Sequence, residues 1–246
     1  MRRLAGLAVI LVVWEAAVRL LDVSSRLLPA PSAIGLQLSR APGVIVAATG
    51  YTLMSALLGY LAAAAAGVAL AVGLAHAPRL ERGLLPFFVA SQAVPVIAFS
   101  AIVILWAGNG PLSKVAIAFY LSFFPVTVST VKGLQASDPM AVALLRTYGA
   151  GAWSILWRLR FPTALPYLFV ALRIGTTTAL IGAIVGEWFG DNRGIGTLIL
   201  HALYTEDVVR LWCGIAACAA AGTAFYAVVA ALERRLVWWP APALDP

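Results

Sequence analysis

Charged side chains are scarce in this sequence. Asp, Glu, Lys and Arg make up 11% of the 246 residues, whereas 62% are hydrophobic, and the mean hydropathy is +0.95. Soluble domains carry about 25% charged residues, so this composition excludes an ordinary soluble protein. Several apolar runs reach the roughly 20 residues that a helix needs to cross a bilayer core about 30 Å thick. The sequence therefore predicts an all-α integral membrane protein in contact with membrane lipid.

The residues that nucleotide binding and metal chemistry need are also missing. No Gly-x-x-x-x-Gly-Lys-Ser/Thr motif occurs, so no loop of that type binds nucleotide phosphates in this chain. His76 and His201 fall on opposite sides of the predicted membrane, and Cys213 and Cys218 face different sides of one helix. The sequence predicts no catalytic residue, no metal site and no cofactor bound by this chain. The energy for any active transport must then come from a partner protein.

The net charge of +7 does not indicate nucleic acid as a partner. Most of the basic residues fall in segments predicted to face the cytoplasm, and membrane orientation explains such an excess. Four acidic residues follow the fifth apolar run: Glu187, Asp191, Glu206 and Asp207. Because they are scattered through a predicted outer loop, a solvated loop is favoured over a metal site.

Six apolar segments are predicted to span the membrane, at about 4–21, 52–75, 84–106, 115–131, 164–186 and 211–232. A signal peptide is the alternative for the first segment, but Trp14 and Glu15 would be unusual in its core and no clean cleavage motif follows. The favoured interpretation is a retained span in which Glu15 pairs with Arg19 four residues on.

Six spans place most basic clusters on one side of the membrane. That side carries Arg2 and Arg3, the turn after the second span, the segment 137–162 and the Arg234–Arg235 pair. The positive-inside rule makes that side cytoplasmic. Both termini are therefore predicted to be cytoplasmic.

Polar groups inside the predicted spans are candidates for a translocation pathway. Gln92 lies in the third span near Pro95, and a buried amide in lipid needs a partner or a water-lined cavity. A single interhelical hydrogen bond explains Gln92 equally well. Arg173 lies toward the cytoplasmic end of the fifth span, where a structural or gating role is favoured and snorkelling is the alternative. Glu187, just beyond the same span, completes the candidate set.

The segment 137–162, between the fourth and fifth spans, is predicted to form two short helices. Asp138 is suited to cap the first helix, Pro139 fits its first position, and the glycines at 149 and 151 suit its end. The second helix is predicted to stop at Phe161, because a residue that precedes a proline avoids the helical conformation.

Each of these short helices has one apolar face. The faces consist of Met140, Leu144, Leu145 and Tyr148 in the first helix, and of Trp153, Leu156 and Trp157 in the second. Two such faces with few charges indicate a docking surface for another protein. A pair of interfacial helices in the headgroup layer is an equally good interpretation of the pattern alone.

The same segment resembles the cytoplasmic coupling loop of bacterial ABC importer permeases. That pattern is Glu-Ala-Ala, three residues, Gly, and a hydrophobic stretch that ends in Leu-Pro. Gly149 takes the glycine position and Phe161-Pro162 the Leu-Pro position, whereas Ala143 replaces the glutamate and Leu144-Leu145 the two alanines. The candidate ATPase-coupling residues, from these faces and this resemblance, are Met140, Leu144, Leu145, Tyr148, Gly149, Ala150, Trp153, Leu156, Trp157 and Pro162.

Other motifs are similar to the nitrate, sulfonate and taurine branch of these importers. They are the outer turn Trp106–Lys114, the element Phe123-Phe124-Pro125, and the stretch LPYLFVALRIG at 165–175. The element Val185–Trp188 resembles the pyrimidine-precursor permeases more closely than the taurine permeases.

These resemblances imply a type I ABC importer permease in the bacterial cytoplasmic (inner) membrane. Two permease copies would form the pathway, two cytosolic ATPases would use ATP and Mg²⁺, and an extracytoplasmic binding protein would deliver the solute. The solute class implied is a sulfonate, a nitrate-like anion or a pyrimidine or vitamin precursor.

Two other functional classes fit the sequence less well than the importer. An ion-coupled secondary transporter or small channel predicts ionisable residues in facing spans and an internal repeat, and Arg173 alone meets this description. A membrane enzyme is disfavoured because the sequence contains no catalytic constellation.

Overall fold

The structure, a computed structural model, describes residues 2–239. All the regular secondary structure in that range is helical. The α-helices are α1 (Arg2–Leu20), α2 (Pro31–Arg40), α3 (Pro42–His76), α4 (Pro78–Ser91), α5 (Val96–Ala107), α6 (Pro111–Gln135), α7 (Pro139–Thr147), α8 (Ala152–Ile155), α9 (Phe161–Glu187), α10 (Ile195–Tyr204) and α11 (Val208–Leu236). A π-helical turn, Leu156–Arg160, joins α8 to α9.

Four helical segments are long and apolar enough to cross a membrane: Pro42–His76, Pro111–Gln135, Ala152–Glu187 and Val208–Leu236. They contain the second, fourth, fifth and sixth predicted spans. The first predicted span corresponds to α1, and the third to α4 and α5, and neither is among the four. The chain is a multi-pass membrane protein.

The third predicted span is two helices rather than one kinked helix. The helical path breaks between Ser91 and Val96, and Pro95 precedes α5 in an extended conformation with ψ 127°. Proline has no N–H to donate and disfavours a helical residue before it, so the chain turns at this point. Pro86, by contrast, lies inside α4 without ending it.

Helix α6 lies between α3 and α9 at the centre of the fold. Small residues allow the close approach: a Cβ atom on Gly59 of α3 would lie 2.6 Å from the Ala118 Cβ atom of α6. A Cβ atom on Gly182 of α9 would lie 2.8 Å from the Ala118 Cα atom. Such contacts bring backbones together in membrane proteins, where packing rather than hydrophobicity holds helices to one another. These three helices therefore position the groups at both ends of the bundle.

Candidate functional site

Helix α7 begins and ends as the sequence predicts. The Asp138 carboxylate accepts a hydrogen bond of 2.9 Å from the Met140 N–H, and Pro139 occupies the first turn. The chain leaves the helix through Gly149, which has a φ of +78°, in the left-handed region that favours glycine. Local capping chemistry thus defines this helix.

The second short helix does not stop at Phe161, and this prediction is wrong. Phe161 is helical, with φ −67° and ψ −45°, and its N–H donates to the Leu156 carbonyl oxygen across the π-helical turn. The wider turn accommodates Pro162, which has no N–H and would otherwise clash with the preceding turn of an α-helix. Residues Ala152–Glu187 therefore form one continuous helical segment of 36 residues.

Five large apolar side chains of this region are exposed, and we call them the docking surface: Met140, Leu144, Tyr148, Trp153 and Trp157. The exposed fraction is 81% for Tyr148 and 64% for Trp153. The Trp153 and Trp157 rings pack edge to face with centroids 5.5 Å apart. Exposed apolar groups of this size occur where a protein contacts another protein or a membrane surface.

The other predicted coupling residues surround the docking surface. Gly149 is exposed, and Leu145, Ala150 and Pro162 are partly buried. Leu156 is different, because its side chain is only 1% exposed. It belongs to the core, so the predicted common face of Trp153, Leu156 and Trp157 is split.

Leu156 fixes the part of the docking surface that carries Trp153 and Trp157 to the helix bundle. It packs in a cluster with residues of α3, α6 and α9, namely Ala71, Leu74, Val131, Leu134 and Ala164. We call this side of the molecule the α7 end. The continuous helical segment thus connects α8 to α9, and this cluster connects it to α3 and α6.

Arg173 forms an ion pair with Glu233 of α11. Its guanidinium carbon also lies 5.9 Å from the centroid of the Tyr226 ring, within cation–π range. Both charged side chains are partly buried. Sequence reasoning missed this partner, since Glu233 adjoins two arginines at the end of a helix and resembles an ordinary terminal cluster.

Gln92 and Pro95 lie in the break between α4 and α5. Both residues are exposed rather than packed among the helices. Within residues 2–239, no hydrogen bond or ion pair joins Gln92 to the Arg173–Glu233 pair.

Glu187 is the last residue of α9, and its expected place in a solvated loop is wrong. Its side chain is fully buried and accepts hydrogen bonds from the Thr52 hydroxyl at 2.8 Å and the Gly196 N–H at 2.7 Å. The Ile195 N–H donates to the same Thr52 oxygen at 2.8 Å. Glu187 thus joins α3 and α9 to the N-terminus of α10, a region we call the α10 end. Gly194, with a φ of +98°, adjoins the carboxylate so closely that a Cβ atom would clash with it.

A buried ion pair lies beside Glu187. Lys114 is fully buried, with its Nζ atom 3.1 Å from the Asp191 Oδ2 atom and hydrogen-bonded to the Asn109 side-chain oxygen. The Tyr51 hydroxyl donates to Asp191 at 3.1 Å. Burial opposes the charge of Asp191, but the hydrogen bond and positive charge of Lys114 outweigh it and hold the pKa of this carboxyl below its usual value. The sequence offers only the outer-turn motif as a signal for Lys114.

The remaining acidic residues do not join this cluster. Asp207 caps α11, where its carboxylate accepts from the Arg210 N–H at 3.0 Å, and Glu206 is an exposed residue of the preceding turn. Within residues 2–239 no group of three or more His, Cys, Asp or Glu side chains is arranged to hold a metal ion.

An open cavity of about 910 Å³ adjoins the α10 end. Its walls include the polar side chains of Tyr51, Asp191, Arg193, His201 and Arg210. Basic groups predominate around its rim, which makes it more favourable for an anion than for a cation.

Comparison with known proteins gives one family. The family model described as "binding-protein-dependent transport system inner membrane component" matches residues 63–238. This range includes α6, the docking surface, Arg173 and Glu187.

Individual relatives are similar over nearly the whole chain. The riboflavin transport system permease protein RibX of Chloroflexus aurantiacus is 34% identical, over 96% of this chain and 88% of its own length. The formylaminopyrimidine transport permease protein ThiX of Halalkalibacterium halodurans is 32% identical, over 94% and 92%. The taurine transport system permease protein TauC of Escherichia coli is 27% identical, over 95% and 87%. The chain therefore belongs to the binding-protein-dependent transport system inner membrane component family, as an ABC transporter permease.

Proposed function

We propose that this chain is the membrane-spanning subunit of an ATP-driven importer, and that the docking surface couples it to cytosolic ATPases. The observation that carries this proposal is an exposed apolar surface, part of which lies on the helical segment that continues into α9. Helix-in-groove docking uses such apolar anchors on one helix face.

The same geometry supports a rigid mode of coupling. Leu156 ties the Trp153–Trp157 part of the docking surface to α3, α6 and α9, so a partner that moves α8 moves the α7 end of the bundle with it. Closure of two ATPases would then reach the transmembrane helices as a rigid-body displacement. ATP and Mg²⁺ are used by those partners.

The resemblance to ABC importer permeases supports the remaining parts of the proposal. Two copies of the chain, here a homodimer, form the pathway across the bacterial cytoplasmic membrane through six spans in each copy. Both termini and the segment 137–162 face the cytosol, and an extracytoplasmic binding protein delivers the solute to the α10 end.

We assign the solute to small polar or anionic organic molecules. The relatives are named for riboflavin, formylaminopyrimidine, taurine and aliphatic sulfonates. The basic rim of the α10-end cavity is compatible with anionic members of that set. Uptake into proteoliposomes that hold the complete transporter, with taurine and riboflavin as separate substrates, tests this assignment.

Co-purification from the native membrane tests the coupling role. An ATPase with a Gly-x-x-x-x-Gly-Lys-Ser/Thr motif should accompany the wild-type chain and be lost from Leu144→Asp and Tyr148→Asp. Tyr204→Asp is the matched control, because Tyr204 is an equally exposed tyrosine at the α10 end. Uptake driven by a proton gradient without any associated ATPase would instead establish the alternative, an ion-coupled secondary transporter or channel.

A further inference from the structure

A second cavity lies at the α7 end, between α7 and the adjoining ends of α3, α4 and α6. We call it the α7 cavity, and its volume is about 600 Å³. The residues of its wall that matter here are Glu81, Gln135, Ser137, Ala143, Arg146 and Arg160. One face of α7 lines this cavity, whereas Met140 and Leu144 of the same helix, with Tyr148 directly after it, belong to the docking surface.

The cavity has more positive than negative charge. Neither Arg146 nor Arg160 forms an ion pair with any residue in the part of the chain that the structure describes. Glu81 is the one acid among the wall residues described, and both of its oxygens lie 2.8 Å from the Gln135 Nε2 atom, which donates to them. Two guanidinium groups therefore face the cavity with one carboxylate that is already hydrogen-bonded.

Ser137 provides an independent observation that points to a ligand. Its side chain is 8% exposed, and its hydroxyl has no hydrogen-bond partner. Buried polar groups in proteins are nearly always hydrogen-bonded, because an unsatisfied one costs about 1–3 kcal/mol. The hydroxyl can donate a hydrogen bond to an acceptor in the cavity. The positive charge of the two arginines favours an acceptor that is an anion.

We infer that the α7 cavity receives the carboxylate of an Asp or Glu side chain from the ATPase that docks on α7. This inference rests on the proposed function. A partner seated on the docking surface lies next to the cavity, since the nine-residue helix α7 contributes residues to both. Arg146 and Arg160 suit bidentate carboxylate binding, and Ser137 adds a third donor.

Ala143 leaves the cavity without a carboxylate from α7 itself. It lies one turn before Arg146 on the cavity face, a spacing at which a glutamate would pair with that arginine. The chain therefore leaves this acid to be supplied by its partner.

The first test measures the affinity between the full-length permease in nanodiscs and the ATPase that co-purifies with it. Arg146→Gln and Arg160→Gln should each raise Kd by about tenfold or more, since truncating one member of a buried charge pair acts mainly on the bound state. Arg235→Gln is the matched control, with the same charge change on the exposed end of α11 outside the cavity. Equal Kd values for the wild type and both cavity variants would overturn the inference while leaving the docking proposal intact.

A second variant pair does not depend on removing an arginine. Ala143→Glu supplies an internal carboxylate that competes with the partner's acid, so it should weaken binding by about tenfold. Ala143→Gln fills the same space without charge and should change Kd by less than about threefold. Tighter or unchanged binding of Ala143→Glu would contradict the inference.

Two further outcomes separate the competing explanations. In the first outcome, inorganic phosphate raises the melting temperature of the wild type but not of the Arg146→Gln, Arg160→Gln double variant, and both bind the ATPase with the same affinity. The cavity is then a small-anion site, and the inference fails. If no ATPase binds the wild-type chain at all, the proposed function fails with it.

Discussion

Replacement of Glu187 tests whether its buried carboxylate holds the α10 end together. Glu187→Ala removes the acceptor of the Gly196 N–H, which lies in a buried site. An unsatisfied buried donor costs about 1–3 kcal/mol, and loss of a buried methylene about 0.8 kcal/mol more. The sum is roughly 2–4 kcal/mol of unfolding free energy, or roughly 4–16 °C in melting temperature for a chain of this size.

Glu187→Gln is the matched variant, and it should be tolerated. The amide oxygen can still accept from Gly196, and the amide nitrogen can donate to the Thr52 oxygen. The Thr52 hydroxyl can then donate instead to the Ala48 carbonyl oxygen, which lies 3.1 Å away. The expected cost is less than about 1 kcal/mol, because Gly196 and Thr52 both keep a hydrogen-bond partner.

Thermal unfolding of the purified chain in detergent, followed by size exclusion, measures both variants at one heating rate. Melting of Glu187→Ala at the wild-type temperature would refute the role assigned to the carboxylate. Equal damage from Glu187→Gln and Glu187→Ala would refute the hydrogen-bond exchange through Thr52.

Three other perturbations test the packing and the ion pairs. The pKa of Asp191 is lowered in the folded state, so its stabilising contribution is present above its unfolded pKa of about 3.9 and is lost as the pH falls through the folded pKa. Asp191→Asn should therefore remove this part of the acid dependence of the melting temperature. An unchanged pH profile would contradict this prediction. Gly59→Val should lower the free energy of unfolding by about 1–3 kcal/mol, because its Cβ atom would meet the α6 backbone. Gly73→Val should lower it far less, because no atom lies within 4 Å of its Cβ position. Melting experiments compare the two. Arg173→Gln leaves Glu233 without its ion-pair partner, so it should destabilise the chain more than the double variant Arg173→Gln, Glu233→Gln does. If the effects of the two single variants on stability simply add up in the double variant, the two side chains are not coupled.

Local chemistry explains why the sequence predicts α7 accurately. Asp138, Pro139 and Gly149 determine where this helix begins and ends through contacts within a few residues. The same local rule fails at Phe161, where it excludes a helical residue before proline. There the π-helical turn, held by Leu156 in the core, overrides the preference.

Groups that meet across long separations in the chain were not predictable from local pattern. Lys114 and Asp191 are polar residues beside a predicted outer loop, and only the packing of α6 against α9 brings them together and buries them. Glu187 is buried for the same reason, since its partners Thr52 and Gly196 come from other elements. Composition and apolar length, in contrast, suffice to predict a multi-pass helical membrane protein.

Photo-cross-linking from position 148 in living cells tests the coupling role most directly. A photoreactive phenylalanine analogue in place of Tyr148 projects from the docking surface, and the same analogue in place of Tyr204 projects from the α10 end. Position 148 should form a covalent adduct that mass spectrometry identifies as an ABC ATPase with a nucleotide-binding motif, and position 204 should not. Adducts of position 148 with lipid alone would contradict the account, since the segment would then be a pair of interfacial helices.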